Sequence, residues 1–132
     1  MAILPKVLEK TDDPRKKRIT IKDLLSMSAG FDANDDLPDL NCSTHLDSAG
    51  CVFARPLIHK PGEKFSYTSA YADTLSQVLT RAARMPTREF AEKHLFAPMG
   101  IKVLGWSRNA LGYYLGESEY NAPLHSPLPN TT

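Results

Sequence analysis

Between Ala70 and Arg84 the apolar side chains Tyr71, Leu75, Val78, Leu79 and Ala82 recur three and four positions apart. That is the spacing of one face of an amphipathic α-helix, and it predicts the longest helix of the chain. A second stripe, Phe90, Ala91, Leu95 and Phe96, predicts another helix, with Thr87 as its N-cap, a Glu89 to Lys93 pair along its outside, and Pro98 and Gly100 as its stop. A shorter stripe, Ile21, Leu24 and Leu25, follows Thr20, and Asp23 stands three positions after that threonine. This is a capping-box pattern, so a helix of about two turns is expected, ended by Gly30, which takes a left-handed backbone readily. A short strand is expected over 102–106.

The rest of the pattern is aperiodic. An apolar strip, Ile3, Leu4, Val7 and Leu8, leads into a polar turn over 11–18, in which Asp13 precedes Pro14 and is pushed toward an extended conformation. Residues 31–62 carry Asp32, Asp35, Asp36 and Asp39, prolines at 38, 56 and 61 and glycines at 50 and 62, and read as a surface excursion over a cleft. Residues 117–132 hold three prolines and no helical period, so a domain over 1–116 is expected to be followed by a loosely ordered tail. The fold class read from these elements is mainly α.

A chain of 132 residues is long enough to bury a core, and 42% hydrophobic with 23% charged residues at net charge +1 disfavours disorder and general polyanion binding. The basic run Arg15 to Arg18 is flanked by Asp12, Asp13 and Asp23, so it reads as a solvated turn and no nucleic-acid partner is expected. Cys42 and Cys51 read as two free thiols, with a small disulfide ring as the alternative in an oxidising compartment. No ligand spacing suggests a metal, and no cofactor is expected. The first ten residues include Pro5 and charges where a signal peptide needs an apolar core, and no run is long enough to span a bilayer. As written, the chain reads as soluble, unexported and cytoplasmic, without a membrane partner.

The candidate chemistry begins at Tyr67, which stands at a loop-to-helix junction. A tyrosine hydroxyl can take a proton from an attacking serine only when neighbouring positive charge lowers its pKa from near 10. Read alone, Tyr67 is better explained as an amphipathic core or turn residue. His45, His59, His94 and His125 are not tied by sequence to a serine and an acid, so no triad is named. Ser26 and Ser28 lack the glycine spacing of a nucleophile elbow and are read as structural.

Four stretches together carry a family resemblance: 19–30, ending Ser26-Met27-Ser28-Ala29-Gly30; 61–69, Pro61-Gly62-Glu63-Lys64-Phe65-Ser66-Tyr67-Thr68-Ser69; 96–100, Phe96-Ala97-Pro98-Met99-Gly100; and 106–116 from Trp106 to Gly116. From about Asp12 to about Gly116 the chain resembles the middle of the serine hydrolases that include class C β-lactamases, D-alanyl-D-alanine carboxypeptidases, penicillin-binding-protein-like enzymes and related esterases and amide hydrolases. The resemblance implies the helical subdomain of a β-lactamase/transpeptidase-like fold, without most of its α/β sheet. It implies acyl transfer from a small-molecule ester, amide or lactam through a serine, without a cofactor.

In that resemblance Tyr67 matches the tyrosine of the family's Tyr-x-Asn motif and takes the catalytic, proton-handling role. Ser69 matches the third position, where it would bind substrate or serve the hydrogen-bond network in place of Asn. None of the ten serines has Lys three positions later, so the family's Ser-x-x-Lys is not in this sequence. Lys60-Pro61-Gly62 is not its Lys-Thr-Gly strand, since it precedes Tyr67 and the proline cannot donate to a sheet. The chain is therefore expected to be inactive alone. The alternative is a non-catalytic helical binding module, in which an exposed apolar face takes a second copy or a complementing chain.

Overall fold

The computed structural model describes Thr11 and residues 13–116. The expected apolar strip at Ile3 to Leu8 and the tail over 117–132 lie outside the described residues. Among the described residues four α-helices occur: α1 (Ile21–Leu25), α2 (Ser48–Ala54), α3 (Ser69–Ala83) and α4 (Thr87–Ala91), the last running into a π-helical turn at Glu92–Phe96. Two 3-10 turns, Pro14–Arg18 and Pro38–Leu40, complete the set. The described residues contain no strand, only isolated bridges between Phe31 and Leu57 and between Arg108 and Tyr114. The strand expected over 102–106 does not form. That stretch enters a tight turn instead, in which the Asn109 side chain accepts from the backbone N–H of Leu111 and Tyr113 at 3.0 Å each.

α1 starts where its capping box places it. Thr20 Oγ1 accepts from Asp23 N at 3.1 Å while the Asp23 carboxylate accepts from Thr20 N at 2.9 Å. The helix is shorter than expected. It ends at Leu25, and Met27 takes φ 55°, so the chain turns before Gly30 is reached. Gly30 serves a close backbone approach rather than a helix stop. Its carbonyl accepts from Ile58 N and His59 N, and a Cβ at its φ of 99° would strike the His59 carbonyl. Of the predicted stripe, Leu24 is buried, while Ile21 and Leu25 face outward.

The excursion read over 31–62 contains the middle of the core. Its α2 is seven residues long, too short for a period to register, and begins where the Asp47 carboxylate caps Gly50 N at 3.0 Å. Val52 and Phe53 of α2 pack with Phe31, Leu24, Ile19 and Tyr71 in one cluster. The Phe31 ring lies 4.9 Å from Phe53 and 6.3 Å from Tyr71, centroid to centroid. Each of these buried aromatic side chains contributes roughly 2–3 kcal/mol by removal from water.

Two further expectations are corrected here. Cys42 and Cys51 are not free thiols; they form a disulfide with Cα atoms 5.6 Å apart, joining the end of the acidic stretch to α2. Nor is the basic run wholly solvated. Lys16 is buried, with Nζ donating to the Phe53 carbonyl at 2.7 Å and standing 5.5 Å from the centre of the Phe31 ring. A long aliphatic stem lets a lysine cross apolar surface in this way, which a count of charges cannot show.

α3 occupies its predicted span within a residue, but polar groups share its buried surface. Tyr71 and Val78 are in the core, and so are Asp73, Thr74, Ser76 and Gln77, because the chain packs on more than one side of the helix. The N-cap position of α4 is held by Pro86, which makes no side-chain cap, and Thr87 is instead the first helical residue, buried with its hydroxyl 2.8 Å from that of Ser76. The ion pair formed along α4 is Arg88 with Glu92 at 2.9 Å. Leu95, on the expected apolar stripe, is exposed, as are Met99, Ile101, Leu104 and Leu111.

Candidate functional site

The two stretches that flank the central excursion meet. Gly62 N donates to the Ser28 carbonyl at 2.7 Å, and Ser66 N donates to the Met27 carbonyl at 2.8 Å. The left-handed Met27 turns its carbonyl toward Ser66, so the Ser26-Met27-Ser28 turn holds the segment that leads to Tyr67. Ser26 and Ser28 are occupied locally: their hydroxyls lie 2.7 Å apart, and Ser26 Oγ also donates to the Lys22 carbonyl at 2.7 Å.

Tyr67 stands just before the first turn of α3 and is 54% exposed. Its hydroxyl is 3.3 Å from Ser69 Oγ. Ser69 is only 3% exposed, so a largely open phenol rests on a hydroxyl sunk in the protein. The structure thus brings together the two residues singled out in the sequence. Thr68 between them is fully buried and caps α3 by accepting from Ala70 N at 3.3 Å.

A third residue at this junction was not singled out. Asp35 reaches in from the acidic stretch, one carboxylate oxygen accepting from Thr68 Oγ1 at 2.7 Å and the other from Ser69 N at 2.9 Å. A carboxylate at a helix N-terminus satisfies an amide that has no partner within the helix and sits favourably in the helix dipole. One turn further along, Asp73 accepts from Ser48 Oγ and from Gly116 N, each at 2.7 Å, linking α2, α3 and the end of the described chain. Burial pushes the Asp73 carboxyl above the usual carboxylate range, against the opposing effect of those two donors.

The Tyr71 hydroxyl accepts from Phe31 N at 3.3 Å inside the core, and burial raises its pKa to about 12. It is a neutral anchor, distinct in role from the exposed Tyr67. Two histidines are engaged elsewhere: His45 accepts from Asp47 N at 3.2 Å, and the His94 ring lies tilted against Phe90 with centroids 4.6 Å apart. His125 lies outside the described residues. Among the described residues no three His, Cys, Asp or Glu side chains group as metal ligands would, and no helix is long and apolar enough to cross a membrane.

What this arrangement can do is limited and specific. It presents one phenol at a fixed point on the surface, backed by a buried serine hydroxyl and a carboxylate-locked helix start. Only an acidic signature in the sequence, Asp32 to Asp39, hinted at the third member, and it looks the same as any solvated loop.

Comparison with known proteins gives this geometry its context. The family model described as Beta-lactamase matches residues 3–126. Over 93 residues the chain is 27% identical to a protein from Salmonella typhimurium described as "Putative D-alanyl-D-alanine carboxypeptidase", an alignment that takes in 66% of this chain and 22% of that protein. Counterparts with the same description in Salmonella paratyphi B and Salmonella newport match at the same identity and coverage. The chain thus spans about a fifth of the length of these relatives.

Proposed function

Since this chain belongs to the β-lactamase family, a family of serine hydrolases, we propose that it forms the helical part of an acyl-transfer site whose nucleophile comes from outside residues 1–132. The substrate is a small ester, amide or lactam. Its acyl group passes to a serine and then to water, with no cofactor taking part. The observation that carries this reading is the Tyr67 phenol, exposed at the start of α3 and set 3.3 Å from Ser69 Oγ.

In this reading Tyr67 handles the proton of the attacking serine, and Ser69 orients the Tyr67 hydroxyl from beneath. The burial of Ser69 favours the network role over direct contact with substrate. A phenol works as a base only beside a cation, so the lysine of Ser-x-x-Lys arrives together with the serine, on further sequence or on a second chain. Ser69 in place of Asn offers a single hydroxyl where an amide has an acceptor and two donors, which suits ester or amide substrates that need fewer fixed contacts.

The test has two arms. The protein is incubated with a chromogenic short-chain ester and a chromogenic cephalosporin and then weighed intact. Neither turnover nor an acyl adduct is expected from this sequence alone, and an adduct that disappears when one of its serines is changed to Ala would overturn the placement of the nucleophile. In the assembled hydrolase, Tyr67→Phe should lower kcat/KM by about 10²–10⁴-fold, the usual range for losing a positioned acid or base. Undiminished activity in that variant would remove Tyr67 from the chemistry.

A second reading rests on the exposed Leu95, Met99, Ile101, Leu104 and Leu111, which suit a non-catalytic module that binds a second copy or a complementing chain. Molecular mass in solution separates a monomeric fragment from an assembling chain, and the acyl-adduct test separates catalysis from binding. A dimer with no acyl adduct in any assembly favours the module.

A further inference from the structure

We propose that Asp35 is the positioning residue of the Tyr67–Ser69 pair: its carboxylate, carried on a loop tied to α2 at both ends, sets the first turn of α3 and thereby where the Tyr67 hydroxyl stands. The functional consequence rests on the role given to Tyr67 above, but the positional claim does not.

The bonds to Thr68 Oγ1 and Ser69 N use both oxygens of one carboxylate on two consecutive residues, directly after Tyr67 in the chain. Two contacts of that kind fix both the place and the rotation of the junction, where one would leave a pivot. Charge-assisted bonds are also about twice as strong as neutral ones. Ser69 then cannot shift without stretching its own amide bond to Asp35, and the Tyr67 hydroxyl rests on Ser69 Oγ.

The loop that carries Asp35 is not a free arm. On its N-terminal side, Asp32 N donates to the Pro56 carbonyl at 2.9 Å and Arg55 Nε donates to the Asp32 carbonyl at 2.8 Å. Within it, Asn34 N donates to the Leu40 carbonyl at 3.0 Å, and Asp36 N donates to Asn34 Oδ1 at 2.8 Å. On its C-terminal side, buried Cys42 is joined to Cys51 of α2. Both tethers lead to α2 and the residues just after it, so α2 is the base from which Asp35 reaches the start of α3.

Asp35→Asn keeps the shape but leaves a single acceptor oxygen, so at most one of the two bonds survives with full geometry. The experiment is carried out on the full chain with fluorotyrosine in place of tyrosine. It reads the ¹⁹F signals of Tyr67 and Tyr71 together with amide hydrogen exchange at Ser69. In Asp35→Asn the Tyr67 signal should move or split and Ser69 exchange should quicken by about tenfold or more, while the Tyr71 signal, one turn deeper, stays in place. Unchanged Tyr67 and Ser69 readings beside an unchanged Tyr71 would overturn the proposal.

If Tyr71 is also disturbed, Thr68→Val decides the matter. It is close to isosteric at a fully buried position and removes one of the two donors to Asp35 together with the oxygen that caps Ala70 N, so it is read both in the parent and in Asp35→Asn. A Tyr67 displacement that is smaller in Asp35→Asn than in the parent supports the proposal, and one that is absent or of the same size in both overturns it. These readings stand whether or not the assembled protein is a hydrolase. Loss of activity in Tyr67→Phe is a separate result, so failure of one reading does not conceal failure of the other.

Discussion

Asp73 places a titratable carboxyl where water is largely excluded, and its titration should be visible in stability. Burial raises its pKa in the folded protein above the ordinary 3.8. Between those two values the folded form holds more proton than the unfolded chain, so this group's contribution to stability falls as pH rises through the window and returns on acidification. Asp13 works in the opposite sense. The hydrogen bond from Arg15 lowers its pKa, so its contribution is present above the ordinary value and is lost as pH falls toward the folded one. The difference in unfolding free energy between Asp73→Asn and the parent protein isolates the first effect. It should grow with pH across the window and then level off, as read by urea denaturation at a series of pH values, and a flat difference would mean that Asp73 is better solvated than its packing implies. At this scale the sequence was only partly legible. Tyr67 and Ser69 could be picked out because a motif surrounds them, whereas Asp35 and Asp73 have the appearance of loop and helix-surface charges. What gives each its role is a partner 25 to 43 residues away, and no local pattern encodes such a partner.

Helix starts were more readable than helix interiors. Thr20 and Asp23 signal the start of α1 because both capping bonds are local, and for the same reason their strength can be tested directly. Thr20→Ala should destabilise the protein by about 1 kcal/mol in chemical denaturation, and Thr20→Ser should restore most of it, since the hydroxyl is what the Asp23 amide needs. A neutral alanine variant would show that the rest of the fold holds α1 without its cap. α3 was legible through length: fifteen residues give a periodic pattern room to repeat. α2, at seven residues with Gly50 and a bonded cysteine inside it, gives none, and its importance follows entirely from what packs on it. The apolar stripe of α4 was legible as a stripe, yet its Leu95 is exposed while Phe90, Ala91 and Phe96 are half-buried. Periodicity reports which side of a helix is apolar, and it does not report whether anything in the described residues covers that side.

Across the whole molecule, short elements are held by ties between distant residues. The Cys42–Cys51 bond closes a ring of separation 9, and removing it should lower stability by roughly 2.5 kcal/mol on the chain-entropy model. Urea midpoints of the oxidised and reduced forms check this, and coincident midpoints would mean that hydrogen bonding alone keeps the acidic loop on α2. The family match extends over 3–126, beyond both ends of the resemblance read from about Asp12 to about Gly116. α3 is the element on which the distant ties converge: Phe31, Asp35, Ser48, Tyr114 and Gly116 all bond to it or to its cap. During synthesis the chain emerges from its N-terminal end, and Phe31 leaves the ribosome 40 residues ahead of the Tyr71 hydroxyl that meets its amide. At roughly 5–20 residues per second that is a wait of about 2–8 s, during which the nascent aromatic cluster has no lid. That exposure ends once Tyr71, in the first turn of α3, has cleared the ribosome.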